Sequence, residues 1–222
     1  MDLNLGDTRL IIQTCKDRGL LRNQAAYVLA TSYHESAHQM KPIKEMGGLA
    51  YLESKAYWPY FGRGYVQLTW RANYEFAGQK LGQDFVTHPE LLLQAQYAAP
   101  ILVIGMMEGW FTKGAHKLPD YCDLQSSDYV GARHIVNGSD QASLIAGYAD
   151  TYEKLLLDIG YGVDSPTVAP APVPQPVQPS SPPVLPESPS APVQAPAAPS
   201  KASWLSVVAD AIKWFIKTKY GQ

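Results

Sequence analysis

The sequence predicts a mainly α-helical domain with one small β element, and three observations carry that reading. Apolar residues recur at helical spacing through most of residues 1–162, in windows closed by Gly or Pro. Only the stretch around Gly62-Arg63-Gly64 alternates in the manner of a strand. Hydrophobic residues make up 46% of the 222 and charged residues 17%, enough apolar material for a packed core. Beyond Asp164 the composition changes twice. The expected organisation is therefore a catalytic-size domain at 1–164, a Pro-rich linker at 165–200 and a basic amphipathic helix at 201–222.

The elements follow in order. Leu10, Ile11, Thr14 and Cys15 share one helix face between Asp7 and Arg18, and Gly19 ends that helix. Asn23 is placed to cap a second helix running to about Gln39, before Pro42 stops it. Its core stripe is Ala26, Leu29, Ala30, Tyr33 and Ala37, while Val28, Thr31 and Glu35 share a different face, suited to a cleft. Gly62-Arg63-Gly64 fits a tight turn, and Tyr65 to Thr69 reads as a short strand on which Gln67 and Thr69 face the same side. Thr69 then caps a helix through Trp70, Tyr74 and Leu81 to Gly82, with Asn73 one turn in. Thr87 and Pro89 open a further helical stretch that Pro100 interrupts, followed by an apolar run from Ile101 to Phe111 in which Gly105 and Gly109 permit close packing. Ser126 to Val136 reads as a helix stopped by Asn137-Gly138, where an Asn commonly serves as an αL cap. Ser139 or Asp140 caps a last helix through Ile145, Tyr152 and Leu156 to Gly160.

Chemistry gathers between His34 and Tyr74, which contain H-E-S-A-H-Q-M-K-P-I-K-E and F-G-R-G-Y-V-Q-L-T-W-R-A-N-Y. Cleavage of an acetal between sugars needs one carboxylic acid to protonate the leaving oxygen and a second carboxylate to attack or to activate water. Glu35 lies in an apolar helical run, where partial burial favours the protonated form required of the acid. Glu45 follows Pro42 among Lys44 and Gly47-Gly48, in a loop that suits an ionised base, with Glu53 the alternative. Arg63 either pairs with a catalytic carboxylate or pins its loop, and Tyr51, Tyr57, Trp58, Tyr60 and Phe61 either cover a small core or offer faces for sugars.

These segments, with the later A-R-H-I-V-N-G, resemble the glycoside hydrolase family 19 chitinases, and more closely the chitinase-like endolysins of bacteriophages, over roughly residues 1 to 162. The resemblance implies a lysozyme-like, two-lobed helical domain with its β element at the cleft. It implies Glu35 as general acid, Glu45 as general base and Thr69 as holder of the attacking water. Gln67, Asn73, Asn137 and Tyr65 become the sugar-binding residues. The family inverts configuration, so about 6.5–9.5 Å is expected between the two carboxyl groups, with water between them. The implied activity is cleavage of β-1,4 bonds in peptidoglycan glycan strands, or in chitin, with no cofactor and no metal.

A rival reading uses the same residues. His34-Glu35-x-x-His38 spells H-E-x-x-H, which on one helix face holds zinc between two imidazoles with the glutamate as base of an amidase or peptidase. The extended form of that motif fails, because Lys41 and Lys44 stand where Gly and His belong, and a third ligand from Glu53, His88, His116 or His134 is left open. His116 and Asp120 sit in a Lys/Pro loop that reads as solvated, and Arg133 and His134 as structural or supporting residues.

Charge and the C-terminal segment bear on partners. Net charge is −2, with no basic surface for nucleic acid. Two cysteines, Cys15 and Cys122, make no disulfide framework and suit a reducing cytoplasm. The N-terminal residues lack a signal-peptide pattern, so a host-cytoplasmic protein that reaches the cell wall after release is expected. The linker carries 13 prolines and one charge, Glu187, and as polyproline-like chain at ~3.1 Å per residue would reach on the order of 100 Å. From Ser203 to Tyr220 a polar stripe of Ser206, Asp210, Lys213 and Lys217 faces an apolar surface bearing Trp204 and Trp214. That pattern suits a helix lying at an anionic bacterial membrane and is too short to span one.

Overall fold

Helix α2 (Arg22–Glu35) is the centre of the protein, and its sequence explains why. Ala25, Ala26, Val28, Leu29 and Ala30 are all fully buried, and Tyr27, Thr31 and Ser32 nearly so, which leaves no solvated face over two turns. The expected division into a core stripe and a cleft face does not hold for Val28 and Thr31, because neighbours cover the helix all round. The computed structural model describes residues 1–162, and the expected linker at 165–200 and helix at 203–220 lie outside the described residues.

Around α2 stand α1 (Thr8–Asp17), α5 (Ala95–Glu108) and α6 (Ala142–Asp158), and the chain also forms α4 (Arg71–Leu81) and a one-turn helix α3 (Leu49–Glu53). The β element is a pair of two-residue antiparallel strands, β1 (Ile43–Lys44) and β2 (Arg63–Gly64), in the register Ile43 to Gly64 and Lys44 to Arg63. Short 3-10 turns occur at Pro89–Leu93, Trp110–Thr112, Leu118–Asp120 and Gly131–Ile135. The described residues are mainly helical, as expected. Their buried side chains form two clusters. The larger joins α1, α2, α6 and one face of α5 through Ile11, Leu29, Leu102, Ile145 and Tyr152. The smaller joins α4 to the other face of α5 through Tyr74, Leu81, Phe85, Ile101 and Ile104. Both lobes therefore share α5, which accounts for a run from Ala98 to Met106 that is buried except at the partly covered Pro100.

Four departures from the sequence expectations have physical reasons. Helix α5 passes through Pro100 uninterrupted. Proline costs about 3 kcal/mol inside a helix, but burying each of Ile101, Leu102, Val103 and Ile104 returns roughly 1.5–3 kcal/mol. Helix α2 starts at Arg22 after Leu21, because Asn23 Nδ2 donates to Asp123 O at 2.8 Å and Ser127 Oγ at 2.9 Å rather than the Asn side chain capping the helix. It ends at Glu35 rather than Gln39. There Ser36 Oγ accepts from the Met40 N–H at 2.9 Å, and Met40, fully buried, turns back so that its carbonyl takes the Asp7 N–H at 2.7 Å. Gly6 makes that approach possible, since a Cβ there would lie 2.4 Å from the Met40 oxygen. Finally, Ser126 to Val136 yields only a 3-10 turn at Gly131–Ile135, and the left-handed stop falls on Gly138 (φ 66) rather than Asn137.

Cys15 and Cys122 are both buried and free. Among the described residues no helix is long and apolar enough to cross a membrane.

Candidate active site

Glu35 is the last residue of α2, and the early end of that helix decides its surroundings. Its side chain is only 5% exposed, and a lone carboxylate so placed would be costly. Its compensation comes from the far end of the domain sequence. Arg133, itself 1% exposed, donates from Nη1 to Glu35 Oε1 at 2.7 Å, and Asn137 Nδ2 donates to the same oxygen at 2.9 Å. Arg133 and Asn137 are joined by the Asn137 N–H to Arg133 carbonyl bond at 3.1 Å, so one turn of chain presents both side chains together. The guanidinium is held by Nε, which donates to the Asp140 carbonyl at 2.7 Å. Both of these bonds to Glu35 fall on Oε1.

Glu45 is secured differently. It follows β1 and continues the strand pairing, its N–H donating to the Gly62 carbonyl at 2.7 Å. Its half-exposed carboxylate accepts from the Tyr57 hydroxyl at 2.6 Å on Oε1 and from the Gly62 N–H at 3.0 Å on Oε2. A Cβ at position 62 would stand 2.8 Å from Gln67 Oε1, so a larger residue there would push the Gln67 side chain aside. Glu53, the alternative base, ends α3 on an exposed surface. The two candidate glutamates thus occupy unlike settings, one buried against an arginine and one half-exposed between a phenol and a backbone amide.

The G-R-G block supports the Glu45 loop from beneath. Arg63 pins that loop rather than pairing with a carboxylate. Its Nη1 donates to the carbonyls of Pro59 (3.1 Å) and Phe61 (3.3 Å) and to the Tyr74 hydroxyl (2.6 Å), and its guanidinium covers the Phe61 ring at 3.6 Å. The Tyr74 hydroxyl in turn donates to the Phe61 carbonyl. Tyr65 to Thr69 is not a strand. It is a turn closed by the Arg63–Leu68 bridge, with Gln67 at φ 53, so Gln67 and Thr69 do not present themselves by strand alternation. Gln67 Nε2 instead donates to the Ile43 carbonyl at 2.9 Å, tying the turn to β1.

The other expected binding residues fall as follows. Thr69 does not cap α4, whose N-cap is Trp70 at φ 77; its hydroxyl donates to the Gln67 carbonyl at 2.8 Å, which keeps the oxygen's acceptor side available. Asn73 lies against Thr69 as expected, with Nδ2 donating to the Thr69 carbonyl at 2.8 Å, a local backbone bond. Tyr65 is fully buried and its hydroxyl donates to Asp7 Oδ2 at 2.7 Å, so it anchors the turn to the start of α1 and offers no surface to a sugar. Asn137 touches Glu35 directly. The sequence reading left Arg133 a structural or supporting residue, because its partner Glu35 lies 98 residues away.

The zinc reading fails on backbone geometry. Because α2 ends at Glu35, His38 is not on the next turn of a helix; it sits at φ 65, with its ring stacked on Tyr33 at 4.4 Å between centroids. His34 is held below its ordinary range by burial, against the opposing pull of Glu35, and its Nδ1 is buried without a hydrogen-bond partner among the described residues. Among those residues no three His, Cys, Asp or Glu side chains gather as a metal ion would need.

Fold and site together define a class: a mainly helical, two-core domain with a buried, arginine-paired glutamate on its central helix and a second glutamate on the loop after a minimal β element. In sequence, residues 25–124 match the family described as chitinase class I, glycoside hydrolase family 19. Similarity to individual proteins is local. An endochitinase of Arabidopsis thaliana is 38% identical over 80 residues, covering 32% of this chain and 30% of that protein. The acidic 27 kDa endochitinase of Solanum lycopersicum is 52% identical over 33 residues, and chitinase 11 of Oryza sativa subsp. japonica 53% over 34. Each of these two matches covers 15% of this chain and 13% of the relative, so the chain spans between about an eighth and a third of the relatives it matches.

Proposed function

We propose that residues 1–164 form a glycoside hydrolase that cleaves β-1,4 bonds of bacterial peptidoglycan by single displacement with water, as in the endolysins of bacteriophages. The observation that carries the reading is the contrast between the two glutamates. Glu35 delivers its proton from Oε2 to the leaving oxygen, and Arg133 and Asn137, already on Oε1, stabilise the carboxylate that this leaves behind. Glu45, between Tyr57 and Gly62, takes a proton from the attacking water, which Thr69 holds through its free acceptor side. Atoms balance, since the water oxygen joins the anomeric carbon, the leaving sugar gains the Glu35 proton and Glu45 gains one from water. The similarity to endochitinases supports a β-1,4 glycan of N-acetylated sugars as substrate, and chitin is the alternative.

Purified peptidoglycan and chitin, each digested with and without EDTA, test the proposal when new reducing ends are counted against new free amino groups. Reducing ends from peptidoglycan that persist with chelator are the expected result. Reducing ends from chitin alone move the substrate, and free amines that vanish with chelator return His34 and Glu35 to a metallohydrolase.

The basic, tryptophan-bearing segment at 203–220 is proposed to act at anionic bacterial membranes, which keeps a wall hydrolase near its substrate after release. A protein truncated after Asp164 should hydrolyse purified wall at the full rate and kill whole cells less well. Equal killing by the truncated protein rejects the membrane role.

A further inference from the structure

Tyr57 occupies a position that neither the sequence pattern nor the family resemblance singled out. The residue is 5% exposed, and its hydroxyl donates to Glu45 Oε1 at 2.6 Å, within the short range of charge-assisted O–H···O bonds. Burial, together with the adjacent Glu45 carboxylate, holds the phenol above its ordinary range, so it remains a donor. The ring also meets Trp70 edge-on, with centroids 5.5 Å apart and planes at 78°. Trp70 is the strained corner of this region, a bulky residue at φ 77 whose N–H donates to the Tyr60 carbonyl at 2.8 Å. It directly follows Thr69, and Asn73 fixes the same corner with its side chain on the Thr69 carbonyl and its N–H on the Trp70 carbonyl at 3.0 Å. One side chain therefore touches both the loop that carries Glu45 and the corner that carries Thr69.

We propose that Tyr57 is a positioning residue that keeps the Glu45 carboxylate in register with Thr69, so that one water meets both. The inference rests on the reading of Glu45 as general base. Without the phenol, Glu45 retains only the Gly62 N–H among the described donors, on its other oxygen, and the carboxylate is free to rotate away from the water site. The geometry predicts a loss in the rate of the chemical step rather than in glycan binding, because the Tyr57 hydroxyl is committed to Glu45 and not to a ligand.

Tyr57→Phe keeps the ring against Trp70 and removes only the donor. Steady-state kinetics on a soluble glycan fragment should give a kcat about 10–100-fold lower, the range expected for one hydrogen bond to a charged group, with KM within about twofold and a melting temperature lower by only a few degrees. In the Glu45→Gln background the same change should add nothing further, since there is no base left to position. Wild-type kcat in Tyr57→Phe overturns the inference while leaving the function intact, and so does an equal loss in both backgrounds. A lowered melting temperature with kcat and KM unchanged assigns Tyr57 to loop packing alone and also overturns it. A wild-type protein that releases no reducing ends, or a Glu45→Gln variant with full activity, removes the base itself, and the inference falls with the functional reading.

Discussion

Glu35→Gln should lose turnover by about 10²–10⁴-fold, the usual contribution of a positioned general acid, and should also melt at a lower temperature. The first effect follows from the proposed chemistry, since an amide has no proton to deliver to a leaving oxygen. The second is imposed by the structure, where the Glu35 side chain is 5% exposed and bonded to Arg133. Arg133 is 1% exposed, cannot shed its proton, and among the described residues pairs with the Glu35 carboxylate alone. Where Glu35 carries its charge, the amide leaves the guanidinium buried without a counter-ion, a loss of at most about 3–5 kcal/mol for a broken buried pair. At roughly 2–4 °C per kcal/mol for a domain of this size, a fall of up to about 10 °C is expected by calorimetry. An inactive variant with an unchanged melting temperature would mean that the ion pair contributes nothing to stability. Activity near wild type would remove Glu35 from the mechanism.

What the sequence made legible here was local. Helices α1 and α4 end where their glycines predicted, at Gly19 and Gly82, because a left-handed residue after the last apolar position is a signal contained within a few residues. The proposal of Glu35 and Glu45 as acid and base likewise rests on neighbouring residues, an apolar helical run for one and a Pro/Gly loop for the other. What stayed hidden depends on contacts distant in sequence. The end of α2 is set by Met40 folding back onto Asp7, which no periodicity within 22–39 can report. The turn at 65–68 has the composition of a strand, and it becomes a turn because Gln67 reaches across to the Ile43 carbonyl. Arg133 lies 98 residues from Glu35, so its role appears only when the fold brings the 3-10 turn at Gly131–Ile135 against the end of α2. Tyr57 looked like any member of an aromatic cluster until its hydroxyl was placed on Glu45.

Replacing Arg133 by Met separates stability from chemistry at this pair. The single change leaves the Glu35 carboxylate 5% exposed with the Asn137 bond to Oε1 still in place, and it removes the charged one of the two bonds that fix that oxygen. Both a lower melting temperature and a slower turnover are expected, because a carboxyl group that loses its anchor no longer presents Oε2 in one direction. The double variant Glu35→Gln/Arg133→Met removes both charges together, and exchanging a buried pair for neutral residues of similar volume is neutral or stabilising by about 1–4 kcal/mol in comparable cases. It should therefore melt well above either single variant, with a coupling of the sign and size expected for directly bonded partners, while remaining as inactive as Glu35→Gln. Additive losses in melting temperature would show that Arg133 and Glu35 act independently despite their 2.7 Å contact. Activity recovered in the double variant would be the more damaging result, since it would assign the loss in Glu35→Gln to the uncompensated guanidinium rather than to the missing proton donor.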